Sequence, residues 1–600
     1  MKNLARDFAV MVLTVAMVAA GASAAATVGP VRPAPGAKTT APADGPVGDL
    51  SAAHLKAEVL AGAARGKPTD ALLRLFRDYT AARVRERYVP KDIPEDLWQW
   101  ILASKDLRDA VLVGVNPENE TDLRALGRLA ALRARFGAKV DEFPHLALAF
   151  AIVYGHAGNQ GLREPGLHFI DKDRPVPSME DSFDYYLTNE KAMKMSLKTT
   201  PWPILIYVAD NDLPIAERKW ATSRYGGKSP GTYDKVYYDV PYDESAIGND
   251  KGRLGESPRT LANILHCGGV CAHQAYYASR VFKSLGVPSL YDCGEGTRGG
   301  HAWVAWVGRA TKTADLLFAG RFDYDRYYTG TVFEPSARRA VLDRSVQLDV
   351  AAMLQSYPGY LNAVAACRMY SMLDDATRAK ATGLLDGAIR QNAYCGTTWR
   401  LMATDVAKGV IPRATGETMY TKMITAFTEY PDLTYEVLRM ILEPRLKPSE
   451  KPAQKEIAGN LRLLDSAFAL YLRSDRPDLA VGLRYLQGQY LEACGRREQA
   501  MKLYVMTSEK FATDHFGFVP LYDRACVLMK EDGKTDLMLK YMGVVAEKVP
   551  KFQSAFNRRN NLINPTFEYV VRAYVGALRQ AGKKTDADAW AARAPEKPKT

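Results

Sequence analysis

Apolar residues recur three and four positions apart in the first third of the chain, which is the spacing of one face of an α-helix. Two examples are "TDALLRLFRDYTAARVRERY" (69–88) and "FPHLALAFAIVYG" (143–155); the second is apolar on most faces, which indicates a buried helix. Thr69 and Thr121 stand near the starts of such segments and are expected to act as N-caps. We therefore predict an N-terminal helical region over residues 49–199.

Helical spacing returns over residues 341–600. Pairs of amphipathic segments are joined there by short turns that contain Gly495, Gly533 and Gly582, at uneven intervals. Helical hairpins in this arrangement resemble degenerate tetratricopeptide-like repeats. Irregular helical packing without true repeats is the alternative.

Between these two regions the pattern changes to short apolar and aromatic runs bounded by Pro, Gly and Asp, which favour strands. The runs "WPILIYVA", "DKVYYDVPYD", "HAWVAWVGR" and "DLLFAGRFDYD" begin at Trp202, Asp234, His301 and Asp315. Residues 200–340 are therefore predicted to form a mixed domain, and the fold class of the whole chain is predicted to be α+β.

The first 24 residues, "MKNLARDFAVMVLTVAMVAAGASA", combine a basic start, a short apolar run and small residues before Ala24. This pattern is typical of a cleaved secretory signal peptide. An uncleaved anchor is the less favoured alternative, because the run is short for a bilayer span. Residues 25–48 are rich in Ala, Pro and Gly and predict a flexible tether. We expect a secreted or periplasmic protein that meets the membrane only through this segment, before cleavage.

Composition narrows the choice of partners. The chain has 600 residues, is 47% hydrophobic and carries a formal net charge of +12, so it is an ordinary globular protein with a basic surface. The basic residues are spread along the chain without any nucleic-acid-binding motif, and we predict no nucleic-acid partner. An anionic cell-envelope polymer would suit the charge, but a solvated basic surface explains it equally well.

The chemistry concentrates in "HCGGVCAHQAYYASRVFKSLGVP", which begins at His266. A helix is predicted from Ala272 to Ser284, and it is followed by Gly286 in the left-handed conformation that ends helices. Cys271 then lies at the helix N-terminus, where unpaired N–H groups and the helix dipole favour a thiolate. The two glycines before it permit a tight turn and a close approach of substrate. Cys271 is therefore the candidate nucleophile.

His301 begins the alternating run "HAWVAWV", so it is predicted at the head of a strand. A histidine fixed there could accept the thiol proton and return it to a leaving group. The next predicted strand carries Asp323 and Asp325, either of which could orient the imidazole. Asp323 is preferred because it lies nearer the strand interior.

The same residues could instead form a zinc site or a disulfide. A zinc site could use these cysteines and histidines, but the spacing does not fit structural zinc knuckles, and His273 would point away from Cys271 on a helix. We predict no metal and no cofactor. A disulfide could join Cys267 to Cys293, which would leave the nucleophile reduced, or Cys267 to Cys271, which would block it. Sequence alone does not choose between these pairings.

Residues 240–335 resemble the transglutaminase-like superfamily. The resemblance is carried by "GGVC" before a helix, the "LGVP" turn into a strand, "HAWV", and an acidic residue in the next strand. It implies a papain-like core, a helix packed on an antiparallel sheet, with Cys271 as nucleophile, His301 as base and Asp323 as the orienting acid. The oxyanion-binding side chain of the family has no clear counterpart here; Asn263 is the nearest polar residue.

The expected function is that of an exported cysteine enzyme, an acyltransferase or a peptidase. It would act on a peptide or carboxamide bond of a protein or peptide substrate, of the cell envelope for example, through a thioester at Cys271. The alternative is a non-catalytic scaffold that keeps the core and binds a protein or peptide through its helical region.

Overall fold

The computed structural model describes residues 51–157, 162–165, 167, 169–171, 173–247, 252–296, 299–309, 314–322, 329–427, 430–443, 452–513, 517–552, 558 and 563–593. It is mostly helical, with one five-stranded antiparallel sheet, which confirms the α+β class. The structure divides into two compact units. The first contains most of the described residues up to Gly416, and the second chiefly those from Glu417 onward.

The first unit holds the N-terminal helices, the sheet and the helices that follow the sheet. Its α-helices are Ala52–Ala63, Asp70–Tyr88, Glu95–Ala103, Lys105–Asp109, Glu120–Ala125, Arg128–Phe136, Ala138–Glu142, Pro144–Ala157, Met179–Thr188, Trp202–Ala209, Ile215–Tyr225, Asp234–Tyr238, Leu261–Cys267, Cys271–Ser284, Asp343–Gln355, Tyr357–Ser371, Asp375–Arg378, Gly383–Gln391 and Gly396–Ala407.

The sustained helical patterns near the N-terminus are confirmed. Asp70–Tyr88 is a helix, and the hydroxyl of Thr69 accepts a hydrogen bond from the Leu72 N–H as predicted for an N-cap. Pro144–Ala157 is a helix buried on almost every face. Thr121 is not a cap, because that helix begins earlier: the side chain of Asn119 accepts from the N–H groups of Thr121 and Asp122.

Two predicted strands are helices. "WPILIYVA" forms the helix Trp202–Ala209, and "DKVYYDVPYD" contributes the short helix Asp234–Tyr238. Apolar runs of this length fit either a buried strand or a buried helix, and periodicity cannot separate the two. Pro203 decides in favour of the helix in the first case, because it occupies the first turn, where a missing N–H costs nothing.

The sheet has the strand order β3-β2-β1-β4-β5. Its strands are β1 (Ser289–Gly296), β2 (Gly299–Arg309), β3 (Ala314–Ala319), β4 (Thr331–Glu334) and β5 (Arg339–Leu342). Strands β2 and β3 are antiparallel, with Val304 opposite Ala319, as expected for the strand after His301. The strand predicted over "DLLFAGRFDYD" is shorter than expected, because β3 ends at Ala319 and the chain then turns. Asp323 and Asp325 lie outside the described residues.

The helix that carries the candidate nucleophile, Cys271–Ser284, packs against one face of this sheet; it is called the Cys271 helix below. Ala275, Tyr276 and Phe282 on the helix share a buried cluster with Ala302 and Val304 of β2, among other residues. Burying each large apolar side chain contributes about 1.5–3 kcal/mol, so this cluster fixes the helix on the sheet. The predicted left-handed glycine at the helix end is confirmed, because Gly286 has φ of 70°.

Buried ion pairs anchor the far end of the Cys271 helix. The Arg280 guanidinium is 2.7 Å from the Asp212 carboxylate, and the Lys283 ammonium is 2.5 Å from Asp210. Arg280 is 1% exposed, so removing Asp212 would leave a buried charge with only the more distant Glu164, 3.6 Å away, to compensate it. The segment "ADNDLP", which separates two helices in the sequence, therefore holds the Cys271 helix in place.

The second unit consists of helices. Its elements are Pro431–Leu442, Gln454–Arg473, Pro477–Ala493, Arg497–Phe511, Val519–Glu531, Thr535–Lys548, Pro565–Gln580 and Lys584–Ala591, and the helix Arg413–Ala426 leads into it. The three predicted glycine turns are confirmed, with φ of 72° at Gly495, 69° at Gly533 and 74° at Gly582. Each joins two consecutive helices, so each of the three turns forms a helical hairpin.

Candidate active site

The turn before Cys271 depends on glycine. The N–H of Gly269 donates to the Pro241 carbonyl at 3.0 Å, and the Gly269 carbonyl accepts from the Asp243 N–H at 2.9 Å. Gly268 has φ of 85°, and a Cβ added there would lie 2.3 Å from the Pro241 carbonyl oxygen. Only glycine fits such a position, and the turn delivers the chain to the start of the Cys271 helix.

Cys271 is the first residue of its helix and is half-buried. Burial raises the pKa of its thiol, although the backbone N–H groups of Ala302, Ala272 and Cys271 itself face the sulfur and favour the thiolate. The sequence predicted a lowered pKa from the helix N-terminus. That expectation is wrong in direction, because the cost of desolvating the thiolate exceeds the stabilisation by the N–H groups. The contact with Ala302 places the sulfur beside the residue that follows His301.

His301 is buried, and its Nε2 lies 2.7 Å from the Gly320 carbonyl oxygen. A carbonyl oxygen only accepts hydrogen bonds, so Nε2 carries the proton. In the neutral imidazole Nδ1 is then the unprotonated nitrogen, which is the atom that can act as a base. The Gly320 carbonyl therefore helps to fix the orientation of the imidazole.

Gly320 reaches this position through a conformation that other residues avoid. Its φ is 84°, and a Cβ added there would lie 2.4 Å from the ring of Tyr237. The Tyr237 hydroxyl in turn donates to the Ala302 carbonyl at 2.9 Å. One tyrosine therefore connects the carbonyl that holds His301 to the strand that carries it.

The remaining predicted site residues divide into two groups. Asp323 and Asp325 lie outside the described residues, so their role stays a prediction. Asn263 is described: its amide donates to the Pro258 carbonyl at 2.9 Å, within its own turn. The N–H groups at the start of the Cys271 helix are better placed than Asn263 to bind an oxyanion beside the sulfur.

Cys267, Cys293 and His273, the other residues considered for a metal or disulfide, have different surroundings. Cys267 is half-buried and Cys293 is buried, its thiol 3.6 Å from the Thr331 carbonyl. All seven cysteines lie among the described residues, and none forms a disulfide there. His273 is buried with its ring 4.9 Å from that of Phe169. Within the described part of the chain no group of three or more His, Cys, Asp or Glu is arranged to hold a metal ion.

A buried polar network that was not predicted from the sequence lies next to His301. The Trp303 ring is 5.7 Å from the His301 ring, and its N–H donates to the Asp292 carboxyl at 2.7 Å. Burial, together with the negative charge of Asp343, raises the pKa of Asp292 well above its usual range. Asp343 is paired with Arg321 at 2.8 Å. The available signal was Asp292, a charged residue directly between Tyr291 and Cys293 in β1.

No family model, curated protein or solved structure matches the chain. Of the residues that the structure describes, no helix has both the length and the apolar character needed to span a bilayer. The predicted signal peptide and tether precede residue 51 and are not among them. The geometry of the site is therefore the evidence that bears on function.

Proposed function

We propose that the chain is a transglutaminase-like cysteine enzyme that acts on a peptide or carboxamide bond. One observation carries this proposal: the Cys271 sulfur lies against the N–H of Ala302, and the preceding residue is a histidine whose Nε2–H is held by the Gly320 carbonyl. This leaves Nδ1 of His301 to accept a proton. The combination of helix-terminal cysteine and oriented histidine supports nucleophilic catalysis.

In the first half-reaction His301 takes the proton from the Cys271 thiol as the sulfur attacks the substrate carbonyl carbon. Because burial raises the pKa of the Cys271 thiol, we expect this proton transfer to accompany the attack. The N–H groups of Cys271 and Ala272 stabilise the oxyanion that forms. The imidazolium then gives its proton to the departing amine or ammonia, and a thioester remains.

In the second half-reaction a water molecule or a primary amine attacks the thioester. His301 removes a proton from the attacking group and returns it to the sulfur as the C–S bond breaks. Water gives a carboxylic acid, and an amine gives a new amide. The same residues serve both outcomes, so the acyl acceptor is to be determined by experiment.

The test uses a panel of glutamine-containing peptides, with and without a fluorescent primary amine. Ammonia release, peptide cleavage and amine incorporation are measured separately. Cys271→Ala is expected to lower the rate of each reaction that the wild type catalyses by about a thousandfold or more, and His301→Gln by roughly a hundredfold or more. Cys267→Ala, four residues earlier in the same segment, is the matched control and should keep full activity.

Activity that survives Cys271→Ala would show that the Cys271 site does not catalyse the reaction. A wild-type protein that leaves every peptide intact would also contradict the enzyme proposal. If it bound those peptides without turnover, the result would favour the non-catalytic scaffold.

We further propose that the enzyme is exported and meets its protein or peptide substrate outside the cytoplasm. The amino-terminal sequence supports this. Expression of the full chain in a bacterial host should yield a processed protein in the exported fraction, with a new N-terminus close to Ala24 or Ala25. Full-length protein that stays in the cytoplasm would contradict export and leave the site chemistry unaffected.

A further inference from the structure

Four buried side chains beside His301 form a closed ring of contacts, which we call the Asp292 network. The Trp303 indole N–H donates to the Asp292 carboxyl at 2.7 Å, and the Arg321 guanidinium lies 2.8 Å from the Asp343 carboxylate. Two further contacts complete the ring: the guanidinium carbon of Arg321 lies 5.4 Å from the centre of the Trp303 ring, and the two carboxyl groups are hydrogen-bonded to each other. Each of the four residues is at most 2% exposed.

The Asp292 network reaches His301 by two routes. Arg321 directly follows Gly320, whose carbonyl oxygen lies 2.7 Å from Nε2 of His301. Trp303 lies two residues after His301 on the same face of β2, and the two rings are 5.7 Å apart. A displacement of Arg321 would therefore move the carbonyl that holds the imidazole, and a displacement of Trp303 would move the ring that lies beside it.

The charges of the network balance only if one carboxyl group is protonated. Two carboxylates and one guanidinium would leave a net negative charge among buried residues, which is costly. The Oδ1 atom of Asp292 is buried, and within the described part of the chain it has no hydrogen-bond donor. A proton on Asp292 removes the excess charge and supplies the hydrogen that a bond between two carboxyl groups requires. Burial and the charge of Asp343 raise the pKa of Asp292 well above its usual range, and Arg321 is the opposing charge.

Gly330 lies against both aspartates. Its carbonyl accepts a hydrogen bond from the Asp343 N–H at 3.1 Å. A Cβ added to Gly330 would lie 2.1 Å from Oδ1 of Asp292 and 2.5 Å from the Trp303 ring. Strand β4 begins at the next residue, so the backbone that enters this strand packs directly on the network. The fold itself therefore holds the two carboxyl groups together.

We propose that Asp292 and Asp343 share one proton, and that this pair, through Arg321 and Trp303, positions His301 for proton transfer. Asp292 donates the shared proton, and Asp343 carries the negative charge that pairs with Arg321. The four residues act through the imidazole and its carbonyl partner, so they are positioning residues rather than catalytic ones. The positioning role rests on the proposed function, whereas the shared proton does not.

The shared proton is tested by the pH dependence of stability. The folded state holds the Asp292 proton more tightly than the unfolded chain, in which an aspartate has a pKa of about 3.9. Its stabilising contribution is fully present below that pH and is lost as the pH rises toward the folded pKa. Asp292→Asn keeps a neutral group that can donate to Asp343 and accept from Trp303, but it has no proton to lose. In urea denaturation between about pH 4 and pH 9, the free energy of unfolding of the wild type should therefore fall relative to that of Asp292→Asn.

The positioning role is tested with the peptide assay of the proposed function. Asp343→Asn removes the charge that holds Arg321 and should lower kcat roughly tenfold or more with little change in KM, because the network acts on proton transfer rather than on binding. Asp292→Asn should stay within about threefold of the wild type, because it keeps the network neutral. Asp405→Asn is the matched control, since Asp405 is 1% exposed and lies 3.3 Å from Arg378. It should lower stability and leave kcat unchanged.

A second readout needs no turnover. Nitrogen-15 NMR of the full chain labelled at histidine distinguishes the protonated ring nitrogen from the unprotonated one, and His301→Gln identifies the signals of that residue. The wild type, Asp292→Asn and Asp405→Asn should show His301 with its proton on Nε2, whereas Asp343→Asn should show a mixture of tautomers because the Gly320 carbonyl is displaced. A wild type without peptide turnover would contradict the proposed function and leave this readout intact.

Parallel pH dependence of the wild type and Asp292→Asn would overturn the shared proton, as would a loss of activity in Asp292→Asn as large as that in Asp343→Asn. An unchanged His301 spectrum together with unchanged kcat in Asp343→Asn would overturn the positioning role. If Asp343→Asn does not fold, Arg321→Lys takes its place, because it keeps the charge but loses the planar guanidinium over Trp303. It should show the same losses, and wild-type values in Arg321→Lys would overturn the positioning role.

Discussion

At the scale of single residues, Cys271 shows two opposing effects on one thiol. Backbone N–H groups favour its thiolate, but burial is the larger effect and raises the pKa. We therefore expect alkylation by iodoacetamide to be slow at neutral pH and to rise with a midpoint above that of a free thiol, about 8.5. Mass spectrometry of the Cys271 peptide across the pH range measures the midpoint, with N-acetylcysteine amide as the reference.

A midpoint below that of the reference would show a preformed thiolate, as in a resting cysteine–histidine ion pair. In that case the proton would leave the thiol before substrate binds rather than during the attack. The same measurement on His301→Gln separates the two mechanisms, because only a resting ion pair would lose reactivity at neutral pH.

Gly320 provides a second prediction at this scale. Gly320→Ala would place a Cβ 2.4 Å from the Tyr237 ring at a φ of 84° and so move the carbonyl that holds His301. We expect a loss of about 1–3 kcal/mol in the free energy of unfolding and a fall in activity at temperatures where the variant is still folded. Urea denaturation and the peptide assay measure these quantities.

Gly409→Ala is the matched control for that experiment. Gly409 has φ of 77°, but an added Cβ would meet nothing within 4 Å. It should lose about 1 kcal/mol through the backbone alone and keep full activity. Equal activities of the two variants would show that the Gly320 carbonyl does not position His301.

Asp349 gives a prediction about pH. Burial raises its pKa to about 6, so the folded state binds this proton more tightly than the unfolded state does. Its stabilising contribution is fully present below the unfolded pKa, about 3.9, and is lost as the pH rises through about 6. Asp349→Asn should therefore raise the free energy of unfolding near pH 8, by less than about 1 kcal/mol because the side chain is exposed to solvent, and change little near pH 4.

Thermal unfolding at both pH values measures this effect. Asp386→Asn, at an exposed aspartate of the same unit, is the control and should shift neither curve. A wild-type protein that gains stability between about pH 4 and pH 8 relative to Asp349→Asn would mean that the carboxylate is paired in solution.

These residues also show what sequence could reveal of the site. Cys271 and His301 could be proposed from local pattern, a cysteine at a helix start shortly after two glycines and a histidine directly after two glycines in an alternating strand. The Gly320 carbonyl could not, because any residue has a carbonyl and only the tertiary fold selects one. The pKa of Cys271 was misjudged for a related reason: helix position is local, whereas burial is not.

At the scale of elements, long segments with sustained periodicity were predicted correctly, whereas two of the four short apolar runs predicted as strands are helices. Asp70–Tyr88 repeats its pattern over five turns, which leaves one interpretation. Trp202–Ala209 is eight residues long and almost wholly buried, so no polar face distinguishes helix from strand. The hairpin of β4 and β5 was missed because its four-residue strands carry too little pattern.

The anchoring of the Cys271 helix gives a prediction at this scale. Asp212→Ala would leave the buried Arg280 without its 2.7 Å partner and should lower the free energy of unfolding by about 3–5 kcal/mol. Burial alone would raise the pKa of Asp212, but the charges of Arg280, Arg174 and Lys283 together lower it, so its stabilising contribution should be lost as the pH falls through the folded pKa. Urea denaturation at several pH values measures both effects.

An exposed ion pair of the same unit provides the control. Arg85 and Glu95 are 2.7 Å apart with both side chains largely exposed, and Arg85→Ala should cost less than about 1 kcal/mol. If Asp212→Ala costs no more than Arg85→Ala, the buried pairs do not anchor the helix.

At the scale of the whole molecule, the second unit is built from neighbours in sequence. Its buried cluster runs from Val481 to Ala587, and consecutive helices provide its contacts, as in other stacked helical hairpins. Local contacts of this kind are what a sequence pattern predicts best. The first unit depends instead on long-range contacts, since residues before 220 hold a helix that begins at Cys271.

The second unit should therefore fold without the first. A fragment of residues 413–600, which starts at the helix Arg413–Ala426, is expected to show helical circular dichroism and one cooperative urea transition. Within it, Val571→Asp would bury a charge in the cluster and should cost about 3 kcal/mol or more, because Val571 is 0% exposed. Val527→Asp is the control at a 41% exposed position and should change little. A fragment without a cooperative transition, or equal losses in the two variants, would mean that this unit does not supply its own core.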